Sequence, residues 1–303
     1  MSESTLKRLV GFLVVITGLW LLAEALSDGS GSIAASGEMA GFFEDVDTAA
    51  LDTVRITRAD TTLTLARDDE GWTVQGLPSD SGAVRRFLAE IAAAEVGELM
   101  ATNPENHARM GVSADSAAEL ELVSGADRRT LLVGGAGRRF GTAYVRLPGE
   151  DRVHLMEADL RGHLRRGLDQ WRNRVMVTVD SSDVARIEVE RSDGAYVLVR
   201  GDSVWTFVDG GPVQATAVRG ILAELSRLVA SGFVAESDSI AELPRASTTR
   251  AFDAEGRTLA EVSIGEGEGT RWARTPTDPY LYEVSTFRAD RLAPPRDDME
   301  PGA

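Results

Sequence analysis

Apolar and polar residues alternate in three short runs, Val54 and Ile56, Leu63 and Leu65, and Trp72 and Val74. A period of two, broken by turn residues at Ala59-Asp60 and from Asp68 to Gly71, predicts a three-strand meander. The period then changes. Val84, Phe87, Leu88 and Ile91 fall at i, i+3, i+4 and i+7, which predicts a helix near residues 81–94 with Asp80 or Ser81 capping its first N–H groups. Beyond the loop segment ATNPENHARMGV, alternation returns in ELELV, TLLVG, TAYVRL and RVHLM. The order β-β-β-α-β-β-β-β reads as an α+β module, an antiparallel sheet with one packed helix, because most strands are joined by tight turns.

The same order then recurs. AVRRFLAEI (residues 83–91) returns as AVRGILAEL (217–225), so Val218, Ile221, Leu222 and Leu225 reproduce the helix stripe. Ile187 and Val189 answer Val54 and Ile56, and Trp205 answers Trp72. GRTLAEVSIG (256–265) follows DRRTLLVGG (127–135), and TRWAR (270–274) follows TAYVR (142–146). Several matches in one order predict an internal duplication, with a first module over 42–158 and a second over 178–292. Between them, DLRGHLRRGLDQWRNRVMV (159–177) places Leu160, Leu164 and Leu168 every four residues with Trp171 a turn later, which predicts an amphipathic connecting helix. The segment 293–303 is acidic and Pro-rich and reads as a disordered tail.

The first residues carry an address. Lys7-Arg8 precede LVGFLVVITGLWLLAEAL (9–26), whose only charge is Glu24. Eighteen helical residues span about 27 Å, enough for a bilayer core, so residues 1–26 are expected to be a transmembrane anchor. The basic flank places the N-terminus in the cytoplasm and the main body outside the cytoplasmic membrane. A cleaved signal peptide ending near Ala23-Glu24-Ala25 is the rival reading, and it exports the same body. Residues 27–41, rich in Gly, Ser and Ala, read as a flexible tether.

Composition narrows the chemistry. Hydrophobic residues at 43% and charged residues at 26% fit globular modules. A net charge of −16 argues against nucleic acid and against broad adsorption to anionic lipid. Cys is absent, which excludes disulfides, thiolate metal sites and a lipoprotein anchor. Lys7 is the only lysine, so none is available to the folded part.

No motif carries a reaction. VGGAGRRFG (133–141) lacks the Gly-Lys-Ser/Thr of a phosphate loop and has Phe140 where a dinucleotide fingerprint needs its third glycine, so it reads as a hairpin. His107, His154 and His163 sit in no zinc spacing, and no GxSxG elbow accompanies them. His154 aligns with Leu281 and reads as sheet surface. The acidic groups Glu44-Asp45-Asp47, Asp68-Asp69-Glu70 and Asp297-Asp298-Glu300 lack a calcium-loop pattern. No catalytic, cofactor or metal residues are therefore assigned. The connector alone stands out: Arg161, Arg165, Arg166, Arg172 and Arg174 oppose the chain's overall charge and are candidates for docking a partner, against a reading in which they pair with local acids. No acid, histidine or serine constellation is evident in both repeats.

The VRITR…GWTVQG opening, the NPENHARMGV loop, the LLVGG…YVRLPG hairpin and the LDQWRNRVMVTVD junction resemble the bacterial family known as domain of unknown function 4340, over roughly residues 42–292. AELPR (241–245) replaces the expected loop in the second repeat. The resemblance implies a membrane-anchored envelope protein, often encoded beside gliding-type ABC transporter components, and supplies no catalytic residues. A non-enzymatic scaffold or accessory subunit of an integral membrane transporter complex is the resulting expectation. The alternative is a binding module for an exported ligand such as a glycan, held in a groove between modules by Trp171, Trp205 or Trp272. A hydrolase on scattered carboxylates is the weakest reading.

Overall fold

The computed structural model describes Met39 and residues 41–44, 46–202, 204–234, 245–266 and 270–302. The chain divides into two compact units, with the boundary between Arg172 and Asn173, inside the expected connector.

In the first unit, strands β1 (Thr53–Arg58), β2 (Thr61–Asp68), β3 (Gly71–Val74) and β4 (Leu77–Pro78) lead into helix α1 (Ser81–Ala92). Then come β5 (Val96–Ala101), α2 (Asn106–Met110), β6 (Ala118–Ser124), β7 (Asp127–Ala136), β8 (Ala143–Arg146) and β9 (Val153–Met156). All nine strands form one antiparallel sheet in the order β4-β3-β2-β1-β6-β7-β8-β9-β5. The alternation sets its register. Val54 pairs with Leu65 and Leu122, and Ile56 with Leu63 and Leu120, so one face of the sheet is apolar. Helix α1 closes over that face with Ala83, Val84, Phe87 and Ile91 buried. Asp80 caps the helix, accepting from the Ala83 N–H at 2.9 Å.

The second unit holds β10 (Val175–Val177), β11 (Arg186–Arg191), β12 (Gly194–Arg200), β13 (Trp205–Phe207), β14 (Leu228–Val229), β15 (Gly232–Phe233), β16 (Arg245–Phe252), β17 (Thr258–Glu266), β18 (Arg271–Arg274) and β19 (Tyr282–Val284). Its long helix is α5 (Ala215–Ser226) and its last is α6 (Thr286–Leu292). The main sheet runs β13-β12-β11-β16-β17-β18-β19-β15, matching β3-β2-β1-β6-β7-β8-β9-β5 of the first unit, with no counterpart of β4 among the described residues; β10 and β14 pair separately. Individual pairs match too, since Trp72 lies opposite Arg67 and Trp205 opposite Arg200. Each unit encloses its own core, one around Val54, Leu65, Phe87 and Trp171, the other around Ile187, Leu198, Ile221 and Val262.

The structure corrects several expectations. The fold is dominated by sheet, and among the described residues no helix is long and apolar enough to cross a membrane. The anchor expected over residues 1–26 lies outside the described residues, as does most of the tether. Met39, at the end of that tether, is buried in the first core. Each module has more strands than the alternation predicted. β5 was hidden because its burial does not alternate: as the last strand of the sheet it pairs only with β9, through an irregular register.

The single helix expected over 159–177 is instead two short turns, α3 (Arg161–Leu164) and α4 (Leu168–Trp171), followed by β10. Glycine is a poor helix former, and Gly167 is extended at ψ 173° where a continuous helix would pass. Leu160, Leu164 and Trp171 are buried, but Leu168 is 37% exposed, so the leucine stripe is not one face. The terminal segment packs rather than trailing away: Met299 is fully buried, and its carbonyl accepts from the Gln214 N–H at 2.7 Å.

Candidate functional site

The five connector arginines are mostly held by their own neighbourhood. Arg161 grips Asp159 through two contacts of 2.6 Å, which holds the Asp159 carboxyl below its ordinary range. Arg166 lies over the Trp171 ring at 5.0 Å, Arg172 is 3.6 Å from Asp169, and Arg174 donates to the Ser231 carbonyl at 3.0 Å within the second unit. Arg165 is exposed. Arg161, Arg165, Arg166 and Arg172 belong to the first unit and Arg174 to the second.

Trp171 is fully buried, stacked obliquely on Phe87 at 5.3 Å, and the Asp80 N–H donates to its carbonyl at 2.8 Å. His163 completes this cluster. Its ring stacks on Phe87 at 5.1 Å and its Nε2 meets Glu90 Oε1 at 3.0 Å. His163 Nδ1 and the Trp171 indole N–H are buried without a partner. Trp272 is likewise buried and Trp205 packs on the second core, so these rings serve the interior.

The cluster has a counterpart. Glu224, at the position of Glu90 in the repeated LAEI/LAEL segment, is buried and meets Arg288 at 2.9 Å and Arg291 at 3.6 Å. In both units a carboxylate on the long helix thus clasps a basic side chain on the segment after the last core strand. One acid was therefore retained in both copies, Glu90 in the first and Glu224 in the second. Repetition at a fixed helix position was the available signal.

His154 is not sheet surface. It is buried at 2% exposure on β9, and burial lowers its pKa against the opposing pull of the Gly97 carbonyl. The register pairs it with Val145 as Tyr282 pairs with Ala273, so its counterpart is Tyr282 rather than Leu281. His107 Nε2 bonds the Asp151 carbonyl at 2.9 Å. The acids are used locally: Asp47 bonds the Ala49 N–H, and Asp68 those of Glu70 and Gly71, each at 2.9 Å. Among the described residues, no group of three His, Asp or Glu side chains is placed to hold a metal ion.

The β7–β8 hairpin carries the most exposed of the large hydrophobic side chains among the described residues. Its glycines have two separate duties. Gly134 and Gly135 lie in β7 under the NPENHARMGV loop, where a Cβ on Gly134 would stand 2.6 Å from the Met110 carbonyl oxygen. That close approach explains why the loop and the VGG segment occur together. Gly137 and Gly141 make the turn: a Cβ on Gly137 would overlap Thr142 Oγ1 and Leu155 Cδ1, and Gly141 has φ +76°. The Gly137 N–H donates to the Thr142 carbonyl at 3.0 Å, and Thr142 Oγ1 to the Arg139 carbonyl at 2.6 Å. On this braced turn Phe140 is 107% exposed. Arg138 beside it is exposed and makes no ion pair among the described residues, while Arg139 pairs with Glu157. The corresponding sequence in the second repeat is Glu266-Gly267-Glu268-Gly269, acidic and without an aromatic ring.

A family model described as a domain of unknown function (DUF4340) matches residues 72–247, more than half of the chain. No curated protein and no solved structure matches it.

Proposed function

The chain belongs to the DUF4340 family, and from that premise we propose that it is a non-enzymatic scaffold which docks a protein partner through the β7–β8 hairpin tip. The observation that carries this reading is Phe140, wholly exposed on a turn held rigid by its own hydrogen bonds. Leaving a phenyl ring in water forgoes about 2–3 kcal/mol that burial would provide. The second repeat keeps the corresponding strand pair, β17 and β18, with an acidic sequence between them, so the pairing itself does not require an aromatic residue there.

Rigid aromatic rings beside arginine are the chemistry of interface anchors. The partner that fits is a protein pocket with apolar walls and an acidic rim. An anionic bilayer fits less well. Each basic residue near such a surface contributes about 1 kcal/mol, and stable membrane anchoring takes more than one weak signal. One ring and one unpaired guanidinium on a chain of charge −16 fall short of that. The partner we favour is a component of a membrane transport complex, as the family resemblance implies. Lys7-Arg8 followed by the apolar run 9–26 supports placing the main body outside the cytoplasm.

Phe140→Ser and Arg138→Glu are each expected to weaken the complex, Phe140→Ser by about thirtyfold in Kd, the equivalent of a 2 kcal/mol anchor. Thermal unfolding of the variants should match wild type, because neither side chain packs in its own unit. Co-purification in mild detergent reads the loss. Recovery of the chain alone from wild-type membranes, or equal recovery of the partner with both variants, would overturn the reading.

A further inference from the structure

A second surface feature lies on the second unit, apart from the hairpin and independent of it. The exposed side of α5 forms the floor of an open groove of about 560 Å³, lined by Ser181, Thr216, Arg219, Gly220, Leu222, Ala223, Ser226 and Arg291. We propose that this groove binds a phosphate group carried on a small organic molecule.

The charge balance at the groove favours an anion. Two guanidiniums, from Arg219 and Arg291, line the groove with no carboxylate in its lining, and Arg291 also meets the buried Glu224, which it shares with Arg288. Arg219 is exposed and makes no ion pair among the described residues. The lining itself is therefore positive on a chain of net charge −16.

The donors also suit phosphate better than a carboxylate. Two guanidinium forks and the hydroxyls of Ser181 and Thr216 line the groove, while the Ser226 hydroxyl donates to the Ala223 carbonyl at 3.1 Å. Phosphate presents oxygens on several sides and guanidinium pairs with it bidentately. A groove of this volume is in the range of small-molecule sites and larger than one phosphate needs, and Leu222 and Ala223 supply an apolar wall for the rest of the ligand.

Glycine keeps the groove open. Gly220 lines the groove against Arg291, and a Cβ there would stand in contact, 3.5 Å from Arg291 Nε, so a longer side chain would compete with Arg291 for the groove's space. In the first repeat the same position is Arg86.

The test is a titration of the full chain, labelled with ¹⁵N-arginine, with inorganic phosphate and with phenyl phosphate at fixed ionic strength. The Nε–H signals of Arg219 and Arg291 should shift to saturation with both, and phenyl phosphate should bind more tightly. Arg219→Gln should weaken both about tenfold, the loss of one charge-assisted contact. Gly220→Leu should abolish saturable binding while circular dichroism remains that of the wild type. Shifts that never saturate, that persist unchanged in Arg219→Gln, or that appear equally at Arg85, the first-repeat counterpart of Arg219, would overturn the assignment. If Gly220→Leu fails to fold, the Arg219→Gln titration decides alone. Neither arm involves the hairpin, so its failure is separate from failure of the docking proposal.

Discussion

Replacing Trp171 by alanine is expected to destabilise the first unit by about 3–5 kcal/mol, the range for truncating a fully buried large aromatic residue. The side chain has no exposed surface, and it holds together parts of the chain that sequence separation keeps apart. Phe87 from α1 and His163 from α3 pack against the ring, and the Arg166 guanidinium lies over it at 5.0 Å. Its loss leaves a cavity that these neighbours cannot fill without leaving their own contacts. Because each unit encloses its own core, denaturant unfolding should resolve the effect. The midpoint of the first unit should fall, while that of the second stays in place. Trp171→Phe should recover much of the loss, since it keeps a ring and removes an indole N–H that has no partner. A Trp171→Ala chain with unchanged unfolding would remove Trp171 from the core account and return it to the surface.

The second large effect is expected on acidification, and it too belongs to the first unit. Burial pushes the His154 pKa below its ordinary value, so the folded state favours the neutral ring. The unfolded chain, with an ordinary histidine pKa of about 6.5, binds the proton more readily. The stability from the neutral buried ring is thus fully present above that value and declines as pH falls toward the depressed folded pKa. Urea midpoints of the first unit should therefore drop between about pH 7.5 and pH 5. His154→Leu should flatten that decline, because leucine fills a buried strand position without a proton to bind. An equal decline in the variant would locate the acid sensitivity at some other group.

Much of the fold was legible because packing repeats leave periodic marks. Val54 and Ile56 against Leu63 and Leu65, the α1 stripe and its α5 copy, and the paired Trp72 and Trp205 all occupy the positions their spacing implied. What escaped the sequence follows from how each signal is generated. The leucine spacing in 159–177 gave a helical period, but Gly167 and an exposed Leu168 divide the segment, and period alone does not report a break. Met299 anchors a terminal segment whose acidic, proline-rich composition resembles that of unfolded chain. Glu90 and Glu224 were passed over because their partners lie far along the chain, at His163, Arg288 and Arg291. Phe140 was read correctly as part of a hairpin, but exposure is a property of the folded chain and cannot be taken from the turn sequence.

The two repeats share their interior and part company at their turns. Position 140 is phenylalanine between Arg139 and Gly141, whereas position 268 is glutamate between two glycines. If the first repeat's tip is the docking element, a photo-crosslinking side chain placed at each position in living cells distinguishes them directly. Position 140 is expected to give one discrete protein adduct, recovered again when the identified partner is tagged and diminished when Arg138→Glu is added. Position 268 should give none. Lipid adducts alone at position 140, or protein adducts of equal yield at both positions, would contradict the account.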